Sequence, residues 1–432
     1  MTELDATDLA TRLTTRSPAG IAEQVGQLIE EGQLPMDSRL PTVRDLAQEV
    51  GVSVGTVAQA WGLLRERGLV ETRRRGGTRV IDPSTGSRPR FPGFSHVDLR
   101  FGSPHPALLP DLAEPLQQNA PQPTLSSWNR PRLSEQLRTA AQRDLPVRAE
   151  TVLPTSTGSE AMWLAMRAAA SPGDSIAIEH PCSPGIEEVA RDLGLRPVPV
   201  ETDGDGPCAE ALRPISSSVK ALVLAPSGAF GHHVLSPKRA EQLAAILGPG
   251  GSTIIEDDPL GPLSEDPGCS LSSLLPERTL RVRDYARAFG PDLGPCLLAG
   301  PIALIERAAA ERSGGWGTLS YILQDTAAGL ITSASHRRAL AGVRRHYRNK
   351  HIMAVEALEQ AELAVSSRPG SWSITIHSPD AAQALAHLAA QGVDLAASRH
   401  DQLRLVVSQL PEDPAVLADL AALIARATKQ RA

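Results

Sequence analysis

Apolar residues recur at helical spacing in three stretches near the start of the chain. Thr42 and Ser53 directly precede the second and third stretches, and their hydroxyls suit helix N-caps. Two short apolar segments follow, separated by arginines and glycines, as in a β-hairpin. The pattern predicts helices over residues 18–31, 43–50 and 54–67 and strands over residues 69–72 and 78–81.

The pattern changes after this module. Residues 82–96 contain three prolines and no apolar periodicity, which predicts a linker over residues 82–97. The rest of the chain alternates short apolar runs with helical ones, as βα repeats do, and this indicates an α/β fold. Buried strands are predicted at residues 175–179, 221–224, 253–256, 279–282 and 296–299, and helices at residues 161–170 and 336–358.

Charge and cysteine usage narrow the classes of function. A length of 432 residues indicates two or three domains, and the net charge of −6 excludes a uniformly basic nucleic-acid-binding protein. Residues 73–90 contain six arginines and a single acidic residue, Asp82. Any affinity for DNA is therefore expected to be local and to depend on salt. The four cysteines are isolated, which predicts no metal site. An acidic N-terminus and the lack of a long apolar run predict a cytoplasmic protein with no membrane partner.

The predicted module over residues 18–81 resembles a known DNA-binding domain. Residues 40–57, LPTVRDLAQEVGVSVGTV, are similar to the winged helix-turn-helix motif of the GntR family of bacterial transcription regulators. The resemblance implies a nucleoid-associated protein that binds a double-stranded DNA operator. The residues it places at the DNA are Arg44, Ser53, Gly55, Thr56 and Gln59, with Arg73, Arg74, Arg75 and Arg79 on the wing. A solvated arginine face is the alternative interpretation of the wing.

One position departs from the family. GntR proteins usually carry an arginine where this chain has Val54. Direct readout of bases would then depend on Gln59 and Arg44, or on a thymine methyl group packed against Val54.

The segments over residues 97–106 (VDLRFGSPHP) and 336–358 resemble the MocR subfamily of GntR regulators. The resemblance implies a homodimer in which a winged helix-turn-helix is joined to a fold-type I aminotransferase-like domain, the fold of enzymes that depend on pyridoxal phosphate (PLP). The expected organisation is an N-terminal tail (1–17), a DNA-binding domain (18–81), a linker (82–97), a large α/β domain (98–340) and a small C-terminal α+β domain (341–432).

Residues 284–294, DYARAFGPDLG, stand where the family carries the lysine that holds PLP as an imine and the arginine that binds its phosphate. By the resemblance these positions are Arg287 and Gly294, and a protonated, delocalised guanidinium cannot form the imine. The remaining pocket positions are Gly158, Ser159 and Glu160 at the phosphate, Ser183 and Pro259 in place of two tyrosines, and Asp257 at the pyridine nitrogen. We expect Glu160 to repel an anion and Arg287 to pair with Asp257.

These substitutions predict no catalytic residue and no cofactor, with PLP bound only if the alignment of the pocket is wrong. Arg404 matches the arginine that binds a substrate carboxylate in these folds, so it is a candidate for a carboxylate effector; a structural salt bridge is the alternative. The leading hypothesis is a PLP-independent regulator whose second domain dimerises and senses an effector. A PLP-binding regulator, an active aminotransferase and a ligand-free dimer platform are the alternatives.

Overall fold

The computed structural model describes residues 6–30, 34, 38–66, 69–73, 77–80, 97–100, 102–119, 130–312, 319–399 and 401–429. The chain divides into two compact units, residues 1–96 with 389–392 and residues 97–388 with 393–432. The predicted linker therefore lies outside the described residues except for Val97. Among the described helices, none has both the length and the apolar character that a membrane crossing requires.

The first unit is a helical bundle with a hairpin. Its elements are α1 (Ala6–Thr11), α2 (Pro18–Glu30), α3 (Val43–Val50), α4 (Val54–Glu66), β1 (Val70–Arg73) and β2 (Gly77–Val80). The two strands pair antiparallel, with Val70 opposite Val80. Ile21, Leu46 and Val57 lie in the shared core because helical spacing places one apolar residue of each turn on the same face.

Helix α1 lies within the segment predicted as an N-terminal tail. Leu9 is 1% exposed and packs into the core of this unit, with Leu13 partly buried against it. A helix of six residues presents too few apolar positions for its periodicity to stand out in the sequence. The segment predicted as a tail therefore contains a helix that packs into the core of this unit, and the domain boundary at residue 17 stays a prediction.

The second unit is built on a mixed sheet of eight strands within the described residues. The strands are β4 (Thr151–Thr155), β5 (Ser175–His180), β6 (Arg196–Asp203), β7 (Gly206–Pro207), β8 (Val219–Leu224), β9 (Thr253–Asp258), β10 (Thr279–Asp284) and β11 (Cys296–Gly300). Their order across the sheet is β4-β11-β10-β9-β8-β5-β6-β7. Strands β6, β5, β8, β9 and β10 are parallel neighbours, whereas β11 runs antiparallel to β10 and to β4. The carboxyl ends of the parallel strands meet at one edge, where α/β proteins bind ligands.

Helices cover both faces of this sheet. The described helices after residue 97 are α5 (Ala113–Asn119), α6 (Glu135–Asp144), α7 (Gly158–Ala169), α8 (Ile186–Asp192), α9 (Ala209–Leu212), α10 (Pro237–Leu247), α11 (Ala286–Phe289), α12 (Ile302–Arg312), α13 (Tyr321–Thr332), α14 (Ala334–Gln360), α15 (Ala381–Ala390) and α16 (Pro414–Lys429). Met166 of α7 and Ala308 of α12 pack in one core cluster with Ile255 of β9, while Leu243 of α10 packs with Ile254 in another. Alternate side chains of one strand thus enter different layers.

A smaller sheet completes the unit. The remaining strands are β3 (Val97–Asp98), β12 (Val365–Ser366), β13 (Ser373–His377), β14 (Val393–Asp394), β15 (Ala396–Arg399) and β16 (Gln402–Val406). The order in the smaller sheet is β12-β13-β16-β15, and β3 and β14 form a separate short pair. The predicted boundary at residue 340 falls inside α14, so the division into large and small domains stays a prediction. The α/β fold class is confirmed.

Candidate DNA-binding surface and candidate ligand cavity

Caps fix the start of α3 and the turn from α3 to α4. The Thr42 hydroxyl accepts a hydrogen bond from the Asp45 amide, as predicted, and Gly51 ends α3 with a left-handed φ of 71°. The Ser53 hydroxyl accepts from the Thr56 amide at 3.0 Å and lies 2.8 Å from the Thr56 hydroxyl. The start of α4 is therefore held rigidly, with its first turn presented outward.

Most of the residues predicted to contact DNA lie on this surface. Arg44, Ser53, Gly55 and Gln59 are exposed, and Thr56 is half-buried because its hydroxyl turns toward Ser53. On the wing, Arg79 is half-buried in β2 and its backbone bridges to Arg39, while Arg73 ends β1. Arg74 and Arg75 lie outside the described residues.

A cavity of about 280 Å³ opens where β9 and β10 end, beside the N-terminus of α7. Six of the eight predicted pocket residues line it: Gly158, Ser159, Ser183, Asp257, Pro259 and Arg287. Glu160 and Gly294 do not. Gly158 and Ser159, the first residues of α7, line this space, and the N-terminus of a helix favours an anion.

Asp257 lies buried at the base of the cavity. The Ser183 hydroxyl donates a hydrogen bond to its Oδ2. Burial raises the pKa of Asp257 to about 7, against the hydrogen bond from Ser183 and the charge of Arg287, which both lower it. The carboxyl group is therefore close to half-protonated at neutral pH.

Arg287 borders the cavity, but its ion pair differs from the predicted one. Its Nη1 donates to the Pro259 carbonyl at 2.9 Å and lies 3.9 Å from Asp284 Oδ2. Its guanidinium also stands 5.3 Å from the centre of the Phe230 ring. Burial lowers the pKa of Arg287. The expected ion pair with Asp257 is wrong: Asp284 is three residues away on the same turn and supplies the nearer carboxylate, whereas Asp257 is bonded to Ser183.

The expectation that Glu160 repels an anion in the cavity is also wrong. Glu160 is the third residue of α7, and its carboxylate turns back to accept from the Ser156 amide at 2.7 Å. Its other oxygen lies 3.0 Å from Nε of buried Arg312, which in turn donates to the Pro154 carbonyl. The charge is neutralised inside the protein and does not face the cavity.

Gly294 stands where the family has its phosphate-binding arginine, and the backbone leaves no room for a side chain there. A Cβ at this position would lie 2.5 Å from the Ala286 nitrogen and 2.9 Å from the Gly290 carbonyl oxygen, and it would also overlap Ala286 Cα. The Gly294 amide donates to that same Gly290 carbonyl at 2.8 Å. The tight turn after α11 therefore excludes an arginine at this position.

Arg404 lines a second, smaller cavity of about 150 Å³ that shares Ser183 with the first. Its Nη1 donates to the Cys182 carbonyl at 2.8 Å, and its guanidinium lies 5.5 Å from the Phe230 ring. The side chain is buried, and burial lowers its pKa. Within the described residues no carboxylate lies within 4.0 Å of it, and its Nε has no hydrogen-bond partner. A structural salt bridge is thus not what holds it.

Two residues of the cavity region were missed in the sequence. The guanidinium groups of Arg287 and Arg404 both lie near the ring of Phe230. Asp284 is the counter-ion of Arg287. The signal for Asp284 was its position two residues after the strand predicted at residues 279–282 and three residues before Arg287. Phe230 gave no signal, because it lies in a loop of small residues without periodicity.

The cavity does not fit PLP bound as an imine. The chain's four lysines, at 220, 238, 350 and 429, are all among the described residues, and none lines the cavity. Buried Lys350 donates to the Ser408 carbonyl. A phosphate arginine is excluded at Gly294 by its contacts. Asp257 and the start of α7 do match the pyridine and phosphate subsites, so the fit is partial. In the described ranges no group of His, Cys, Asp or Glu side chains is arranged to hold a metal ion.

Comparisons with known proteins agree with both units. Residues 19–80 match the family described as bacterial regulatory proteins, gntR family. The chain has the architecture of a MocR-type GntR regulator. It is 29% identical over 363 residues to the vitamin B6 salvage pathway transcriptional repressor PtsJ of Salmonella typhimurium, covering 81% of this chain and 83% of the relative. It is 26% identical to the HTH-type pyridoxine biosynthesis transcriptional regulator PdxR of Corynebacterium glutamicum, covering 80% and 79%.

Solved structures resemble the second unit of this regulator. The α-aminoadipate aminotransferase LysN of Thermus thermophilus superposes with a TM-score of 0.68 at 21% identity, covering 77% of this chain and 92% of the enzyme. The kynurenine aminotransferase of Pyrococcus horikoshii gives 0.69 at 17% identity, covering 78% and 92%. At this identity the likeness shows the fold alone. The chain is a DNA-binding regulator of GntR type with an aminotransferase-like domain.

Proposed function

We propose that this regulator has lost the PLP imine and that its aminotransferase-like domain acts as a dimerisation and effector-sensing domain. The observation that carries the proposal is Arg287, whose guanidinium borders the cavity at the position of the family's lysine. A guanidinium is a poor nucleophile and a good anion ligand, so the substitution exchanges covalent chemistry for charge recognition. No catalytic residue is assigned, and the domain is a pseudoenzyme.

The effector expected for this site is a small carboxylate. The start of α7 offers backbone N–H groups, and Arg287 and Arg404 flank one aromatic ring at 5.3 and 5.5 Å. Arg404 keeps a buried Nε without a partner, which is a costly arrangement unless a ligand completes it. These features support an anionic ligand over a domain that is structural only.

Loss of the imine is tested by adding PLP to the full-length protein. We expect no absorbance band near roughly 420 nm and no adduct after borohydride reduction, because no lysine lines the cavity. Arg287→Lys restores the nucleophile alone, and we expect this variant to stay colourless too, since Gly294 and Ser183 are unchanged. A wild-type protein that turns yellow and carries a reducible adduct would refute the proposal.

Effector sensing is tested by a thermal-shift screen with carboxylates and dicarboxylates. We expect at least one to raise the melting temperature of the wild type, by the mass-action effect of a ligand that binds only the folded state. Arg404→Gln and Arg287→Gln should each remove that rise. A screen with no response at all would favour the ligand-free dimer platform.

A second function has one observation in its favour. The names of the two relatives refer to vitamin B6 salvage and to pyridoxine biosynthesis. Asp257 and the start of α7 would suit a B6 vitamer held without an imine. Calorimetric binding of pyridoxal phosphate with no reducible adduct would support this alternative over a carboxylate effector.

A further inference from the structure

The exposed face of α4 is unusual for a helix that binds DNA. From Ser53 to Leu64 the chain contains no charged residue. The outward positions are taken by small or apolar side chains, except for Gln59. The helix therefore has little hydrogen-bonding capacity of its own for reading bases, and no guanidinium before its last turn.

Val54 is the most prominent of these side chains. It is the first residue of α4 and is 46% exposed, which makes it one of four large hydrophobic residues exposed in the described part of the chain. Its neighbours Val52 and Val57 both pack against the core of the first unit, and Val54 does not. Ala58, one turn later on the same side, is exposed as well and extends the apolar strip.

We propose that Val54 specifies a thymine in each operator half-site by packing against the thymine C5-methyl group. This inference rests on the DNA-binding function and on α4 entering the major groove. The N-terminal residues of such a helix reach the base edges, and there the methyl group is the apolar feature that distinguishes thymine. The side chain of valine cannot donate a hydrogen bond to guanine. Val54 can therefore recognise a base only by its shape and by its apolar surface.

The rigid setting of Val54 supports this role. The hydrogen bonds between Ser53 and Thr56 fix the backbone on both sides of it. A β-branched side chain also has few rotamers to lose on contact with a base. Gln59, five residues further on and also exposed, can pair with an adenine edge, so the outward surface of α4 suits an operator rich in A·T pairs.

The test replaces thymine by deoxyuridine, which removes the methyl group and nothing else. Bound sequences are first selected from a random duplex pool with the full-length protein, and each thymine of the selected site is then replaced in turn. We expect one position per half-site at which deoxyuridine weakens wild-type binding about fourfold, the value of one buried methyl group. In Val54→Ala that ratio should fall toward one, while Gln59→Ala should weaken binding and keep the ratio.

The possible outcomes distinguish a failure of the proposed role of Val54 from a failure of DNA binding itself. Selected DNA whose thymine-to-deoxyuridine ratios are the same in wild type and Val54→Ala would overturn the role of Val54 and leave DNA binding intact. Failure of the wild type to select any sequence would contradict both. Because Val54 is exposed, its replacement should leave the melting temperature of the protein unchanged, so a loss of the ratio cannot be assigned to unfolding. Val54→Arg should move the preference at that position from thymine to guanine.

Discussion

Two adjacent carboxyl groups at the end of β9 should respond to pH in opposite ways. Asp257 and Asp258 are both buried. Burial raises the pKa of Asp257 to about 7. Burial also disfavours the charge of Asp258, but Arg283 at 2.6 Å and Arg281 at 3.0 Å outweigh it and hold the pKa of that carboxyl below its ordinary value.

The sign for Asp257 follows from where its proton is bound. Between its ordinary pKa of 3.8 and about 7, the folded protein keeps the proton and the unfolded chain has lost it. The contribution to stability is therefore complete below pH 3.8 and is lost as pH rises through about 7, at about 1.4 kcal/mol per pH unit. Over this range the loss amounts to roughly 4 kcal/mol. Asp257→Asn removes the loss and should become more stable than wild type as pH rises.

Asp258 behaves in the reverse sense. Its pKa is lower in the folded protein, so its contribution is present above the unfolded pKa and is lost as pH falls through the folded one. Asp258→Asn leaves Arg281 and Arg283 short of a buried counter-ion, at a cost of about 3–5 kcal/mol. This variant is the matched control, because it changes the same chemical group one residue away.

Urea unfolding followed by circular dichroism from about pH 5 to about pH 8 measures both effects. The free energy of Asp257→Asn minus that of wild type should rise up to about pH 7 and then level off. The corresponding difference for Asp258→Asn should be negative throughout. A difference for Asp257→Asn that stays flat between about pH 5 and pH 7 would refute the protonation assigned to this carboxyl.

Three further predictions concern the DNA surface, assembly and the cofactor turn. Arg44→Ala should weaken operator binding by about 1–3 kcal/mol in a mobility-shift assay if the arginine contacts a base; unchanged binding in this variant and in an Arg73/Arg74/Arg75 triple alanine would contradict the DNA surface. Light scattering at micromolar concentration should give twice the chain mass of 45.8 kDa, since paired half-sites require two winged helices, and the monomer mass would exclude the dimer. Gly294→Ala should cost about 1–3 kcal/mol in unfolding free energy because its Cβ would overlap Ala286, whereas Gly342→Ala, with open space around it, should cost nothing; equal effects would contradict the tight turn.

Much of the fold could be predicted because its elements are locally encoded. Thr42 and Ser53 were predicted to cap helices and do so in the structure. A hydroxyl residue directly before a run of helical apolar periodicity is commonly an N-cap. Residues 221–224 of strand β8 form a continuous apolar run, as expected of a strand in the middle of a parallel sheet that is buried on both faces. Helix α1 could not be predicted from the sequence, because Leu9 is its single buried residue and one residue gives no periodic pattern.

The positions around the cavity could be predicted better than their interactions. Alignment to a family locates Arg287 and Glu160 along the chain, but it does not say which way a long side chain turns. Arg287 bends to Asp284, on its own turn, and Glu160 bends back to cap its own helix and meet Arg312. Both choices follow from a local rule, that a buried charge takes a nearby group of opposite charge or a nearby hydrogen-bond partner. That rule needs three-dimensional distances, which the sequence does not contain.

The changed residues of the cavity form a consistent set when they are considered together. Arg287 places a permanent positive charge at the position of the family's lysine. The carboxylate of Asp284 lies 3.9 Å from its guanidinium. Under the proposed loss of PLP, Asp257 has no pyridinium partner, and burial raises its pKa to about 7. A neutral Asp257 removes one of the negative charges that oppose the positive field of Arg287 and of the α7 N-terminus at the cavity. The substitutions that argue against PLP as an imine therefore favour an anionic ligand, and its binding would be linked to proton uptake by Asp257.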